Sequence, residues 1–162
     1  MISRLTLALG GALCLVGCAQ VSPYTPVSHF DPSTAQWSKE RGSDIIKGEG
    51  FMRTVGGDIK TCAGFPVTLA PADPYFSEIG VALSQGKTIA NRNAVAEQFV
   101  RRTRCDAAGK FRFADLPAGH WLIGTSVYWG APSGEGIVRQ GGFLWKPITT
   151  GEIPVTHLIL TK

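Results

Sequence analysis

Apolar and polar residues alternate in short runs along most of this chain, the period of strands that bury one face. The clearest run is Lys110 to Phe113, where Phe111 and Phe113 alternate with Lys110 and Arg112. Asp106 and Gly109 bracket a tight turn before it, because Asp bonds its own backbone and Gly accepts positive φ. Pro117 and Gly119 make the next turn, and residues 121–129 read as a long strand. Upstream, residues 44–54 form a first strand with Gly48 and Gly50 as places for a bulge. Residues 55–58 carry a hairpin turn signal, 59–62 a second strand, and Val67 and Leu69 alternate around Thr68 in a third that starts at Pro66. Residues 99–105 lead into the Asp106 turn. Beyond Trp129 the pattern predicts a flexible loop over 131–136, short strands at 137–139 and 142–145, and a closing strand over 153–161. About eight short strands with turns between them predict an all-β sandwich.

One stretch breaks the period of two. Asp73 followed by Pro74 reads as a helix N-cap with Pro at the first position, and Phe76, Ile79 and Leu83 lie at helical spacing. The spacing predicts a short amphipathic helix over 74–84, stopped by Gly86, with a loop or a second short helix over 91–98. Residues 73–98 are thus an insertion carried over the β-core.

The N-terminus has another pattern. Arg4 precedes an apolar run over 5–16 that is too short to span a bilayer as a helix. It ends Leu15-Val16-Gly17-Cys18, which resembles the lipobox of bacterial lipoproteins. That resemblance implies a signal peptide over 1–17 and a Cys18 that carries diacylglyceryl and palmitoyl chains into membrane lipid. Ala19, where retained lipoproteins carry Asp, implies the outer membrane, with the domain in the periplasm or at the cell surface. An ordinary signal peptide cut near Ala19, or a buried helix, is the other reading. Pro23, Pro26 and Pro32 lie among Ser and Thr with no apolar period, so residues 18–42 are expected to be a tether of low order, and 43–162 the domain.

Composition bounds the function. The 162 residues suit one domain plus a targeting segment, and 44% apolar residues suffice for a core. The net charge is +4, with Arg101, Arg102 and Arg104 as its one dense cluster. No aromatic interleaves these arginines, so a solvated strand face is expected there and no nucleic-acid partner. His29, His120 and His157 form no His-x-His pair, and no Ser stands in a nucleophile elbow. Neither a metal, a cofactor nor an enzyme activity is expected.

The Pro66-Val67 and Leu69 strand, then Asp106, Gly109, Phe111, Phe113, Leu116, Pro117, Gly119 and Trp121, resemble the pattern of carboxypeptidase regulatory-like modules. Those modules share a transthyretin-like (prealbumin-like) β-sandwich. The likeness covers roughly residues 58–129, with the insertion as a departure. It implies a single sandwich and a non-catalytic companion role. The expectation is an outer-membrane lipoprotein whose module is structural or binds an envelope protein, with a carbohydrate- or peptidoglycan-binding module as the alternative. Tyr128, Trp129 and Trp145 are the candidate ligand residues, because aromatic faces stack on sugars; Trp129 at a strand end and Trp145 in the core is the other reading. Lys47 and Lys60 are candidates for an isopeptide crosslink or plain solvated lysines. Of the four cysteines, Cys14 leaves with the signal peptide and Cys18 takes the lipid, so Cys62 and Cys105 remain. In an oxidising compartment, and with their strands in the same small sandwich in the resembling fold, a disulfide is expected, two buried thiols being the alternative.

Overall fold

The computed structural model describes residues 22–134 and 136–162. The expected signal peptide and Cys18 lie outside the described residues.

Among the described residues, eight strands make two four-stranded sheets, the all-β sandwich that the alternation predicts. In the first sheet β1 (Asp44–Arg53) is central. It pairs antiparallel with β5 (Lys110–Leu116) and parallel with β8 (Val155–Leu160), while β2 (Ile59–Thr61) pairs with its last residues. The second sheet has the order β4-β3-β6-β7, from β3 (Pro66–Pro71), β4 (Arg101–Arg104), β6 (Gly119–Ser133) and β7 (Gly136–Thr150), antiparallel throughout.

Alternation decides what lies between the sheets. Ile46, Phe111, Phe113 and Leu158 of the first sheet meet Leu69, Trp121, Ile123 and Val127 of the second. Phe111 and Phe113 are both buried, on the face that their spacing assigns. Trp121 is fully buried, and its indole N–H donates to Thr150 Oγ1 at 3.0 Å, so its one polar atom is satisfied. The Asp106 turn forms as the sequence implies. Asp106 Oδ1 accepts from the backbone N–H groups of Ala108 and Lys110, and Gly109 has a φ of +78°. A disulfide joins Cys62 to Cys105, with Cα atoms 5.8 Å apart.

The insertion forms a third layer. In α2 (Pro74–Ser84) the Asp73 side chain accepts from the Tyr75 N–H at 2.8 Å. In α3 (Ala94–Glu97) Asn93 caps in the same way. Phe76 and Ile79 of α2 pack with Ala70 and Leu122 on the outer face of the second sheet, a separate small core.

Two expectations are corrected. Residues 18–42 are not a tether through their described part. Tyr24 bridges Ile89, α1 (Pro32–Ala35) and a 3-10 turn (Gln36–Lys39) follow, and Phe30 is 1% exposed among Tyr75, Phe76 and Phe99. Trp37 stands edge-on to Trp121 with centroids 4.7 Å apart. Two isolated aromatic rings follow no period, so alternation gave no sign of them, yet each fills a site on the domain. The domain therefore begins near Tyr24, not at 43. Second, residues 131–133 and 136 are strand, not loop. They close a long β6–β7 hairpin whose ladder runs unbroken from Gly119↔Thr150 to Ser133↔Gly136, so the two short strands are one. Gly141 makes this possible: at its φ of +108° an added Cβ would lie 2.0 Å from the Val127 carbonyl oxygen.

Candidate functional site

The three aromatics singled out in the sequence do not converge. Trp129 follows Val127 on the inward period and packs partly against the main core, so the expected ligand role does not fit its position. Tyr128 and Trp145 point outward from the second sheet. A residue that the sequence reading passed over lies between them. The register places Trp145 opposite Gly124, Phe143 opposite Ser126, and Tyr128 opposite Gly141. Trp145, Phe143 and Tyr128 thus form one half-buried strip that runs toward the hairpin end. The signal for Phe143 was present, since it stands two residues from Trp145 in a strand and shares its face.

Glycines make room for the rings. A Cβ at Gly124 would lie 2.4 Å from Phe143 Cζ, and one at Gly80 of α2 would lie 2.8 Å from Trp145 Cδ2. Tyr128 is held between Phe65, edge-on at 6.0 Å, and the Arg139 guanidinium, 3.5 Å from the ring centroid. That cation over the ring face fixes the far end of the strip.

The near end opens into a cleft of about 240 Å³ between α2, α3 and the sheet. Polar groups rim it. Glu97 of α3 accepts from Arg92 at 3.1 Å and from Arg102 of β4. The Thr68 hydroxyl donates to the Gly124 carbonyl on the floor, and Ser126 lies beside it. Apolar ring surface beside oriented guanidinium and carboxylate groups suits a ligand with both C–H faces and hydroxyls. Arg92, Glu97 and Arg102 stand only five residues apart along the chain, but in a loop, a helix and a strand, so no single period groups them.

The other candidates fall elsewhere. His120 bonds the Thr149 hydroxyl at 3.1 Å, and His157 is exposed on β8. Among the described residues no group of three or more His, Cys, Asp or Glu side chains is placed to hold a metal ion. Lys47 is exposed and Lys60 lies 3.7 Å from Asp58 at the surface, so neither faces the core as an isopeptide bond requires. The three clustered arginines diverge. Arg101 donates to the carbonyls of Ser38, Glu40 and Asp115, and burial lowers its pKa. Arg102 serves the cleft and Arg104 bonds the Gly64 carbonyl.

No family model matches this sequence, and no curated protein matches it. The fold is similar to that of a solved protein from Pseudomonas aeruginosa described as a "putative carbohydrate binding protein". The TM-score is 0.73 at 21% identity, over 83% of this chain and 99% of that one. At that identity the likeness concerns the fold.

Proposed function

We propose that this chain is a glycan-binding module of the bacterial envelope, anchored in the outer membrane through acylated Cys18. The observation that carries the binding role is the strip of Tyr128, Phe143 and Trp145 leading into a cleft rimmed by Arg92, Glu97 and Arg102. Of the two partners that the sequence left open, an envelope protein and a glycan, the strip favours the glycan. Rings on one face flanked by planar hydrogen-bonding groups match the two faces of a sugar, whereas a flat apolar patch would suit a protein. The name of the Pseudomonas aeruginosa neighbour supports this reading. So does the companion role implied by the carboxypeptidase regulatory-like motif, a kinship that is part of the proposal.

The test is calorimetric titration with neutral oligosaccharides and soluble peptidoglycan fragments, followed by tryptophan emission. Phe143→Ala is expected to weaken binding about tenfold, the loss of about 1.4 kcal/mol. Melting should change little, because the ring is half-buried. Unchanged affinity in this variant would sink the assignment. Anchoring is tested separately: Cys18→Ser is expected to move the protein from the outer-membrane fraction to the soluble one, and retention after a salt wash would refute it.

A further inference from the structure

A broader concavity lies on the far side of the sandwich from the aromatic strip. It is an open groove of about 800 Å³ along the outer face of β1, β5 and β8, with Thr103 and Arg104 of β4 at its rim. The register sets its charge. Lys47 of β1 stands opposite Arg112 of β5 on one side and His157 of β8 on the other. In the next row Lys110, Glu49 and Ile159 stand abreast. These side chains point away from the core, since Ile46, Phe111, Phe113 and Leu158, adjacent along the strands, are buried.

Among the described residues no ion pair involves Lys47, Lys110 or Arg112. Like charges directly opposite on neighbouring strands repel, at a cost of up to about 1 kcal/mol for a pair. An acid in the Lys47 row would relieve that cost, but the two acids that line the groove, Glu49 and Asp106, stand outside that row. Folding alone gives no reason to set two cations directly opposite each other, and departures of this kind mark functional surfaces.

We infer that this groove binds an acidic polysaccharide with a carboxylate on successive sugar rings. Strands lie about 4.8 Å apart, comparable to the length of one pyranose ring, so consecutive carboxylates can meet Arg112 and Lys47 in turn. The Arg112 guanidinium can take a carboxylate with two parallel hydrogen bonds. No exposed aromatic ring lines the groove, so bases of a single-stranded nucleic acid would find no stacking platform. A membrane is also disfavoured. Five residues separate Cys18 from Tyr24, which docks beside α2 on the opposite side of the sandwich, so an anchored domain turns this groove away from its own bilayer. The choice of a polysaccharide rests on the glycan-binding reading; the groove and its charge do not.

Polygalacturonate serves as the probe, with dextran of matched length as the neutral control. The purified protein is expected to bind polygalacturonate and not dextran in this groove, and more weakly as salt screens the charges. Lys47→Ala combined with Arg112→Ala should weaken that binding at least about tenfold, while Phe143→Ala leaves it unchanged. Both positions are exposed, and an unaltered circular dichroism spectrum and melting curve would show that the fold survives. No binding at low ionic strength, or equal binding by the double variant, overturns the inference. Competition by single-stranded DNA or anionic phospholipid vesicles as strong as that of the polysaccharide overturns it too. A Phe143→Ala variant that keeps its affinity for neutral glycans would refute the aromatic strip and leave this comparison standing.

Discussion

Replacing Phe30 by Ala is expected to destabilise the domain by about 3–5 kcal/mol and to loosen residues 24–39 from it. The ring is 1% exposed and lies 5.0 Å from the Phe99 ring and 5.4 Å from Phe76, edge-on to both. It is the plug of the small core between α2 and the second sheet. Truncation removes its apolar burial and opens a cavity that neighbouring elements close only in part. A domain of this size has a total stability of about 5–15 kcal/mol, so the loss is a large part of it. The urea midpoint should fall, and amide exchange should quicken over 24–39 before it does in the main sandwich. If both the midpoint and the exchange of that segment are unchanged, the docking is wrong.

Acid should loosen the same segment by another route. The Glu78 carboxylate accepts hydrogen bonds from the backbone of Val27 at 2.8 Å and Ser28 at 2.7 Å, and from the Tyr24 hydroxyl. Bonding to Ser28, then Tyr24 and Val27, lowers its pKa from 4.5 to about 2. A carboxylate with a depressed folded value contributes its full stabilisation above the unfolded value and loses it as pH falls through the folded one. Release of residues 24–28 therefore belongs between about pH 4.5 and pH 2, and Glu78→Gln should loosen them at neutral pH as well.

What the sequence disclosed follows from how local each signal is. The Asp106–Gly109 turn, the inward faces of Phe111 and Phe113, and the Asp73 cap of α2 each depend on neighbours within a few residues. All three appear as the spacing implies. Phe30 and Trp37 follow no period, and their pockets are built by residues forty or more positions away, so a Pro-rich stretch hid them. Glycines misled in the opposite direction. Gly134 and Gly136 read as loop and Gly141 as a break between two strands, yet the ladder passes through Gly136 and Gly141 without a break. The candidate site was half legible. Strand period places Tyr128 and Trp145 outward and Trp129 inward, but Arg92, Glu97 and Arg102, five residues apart in a loop, α3 and β4, share no period that would group them.

Removing the Cys62–Cys105 bridge by Ala at both positions is expected to cost about 4 kcal/mol. The bonded residues are 43 apart, and the closed loop contains β3, α2, α3 and β4. On the chain-entropy account a loop of that length restricts the unfolded chain most, and the folded state keeps its contacts. Packing adds to this. Both residues are buried in the main core, and a Cβ at Gly50 would lie 2.9 Å from Cys62 Sγ, so the bridge fills a tight site between β1 and β2. The melting temperature should drop by about 15 °C, and the urea dependence should steepen, because an uncrosslinked chain exposes more surface when it unfolds. Protein made in a reducing compartment should match the double variant rather than the oxidised parent. A fall of only a degree or two with an unchanged urea slope would mean that the β-core holds the insertion in place without the bridge.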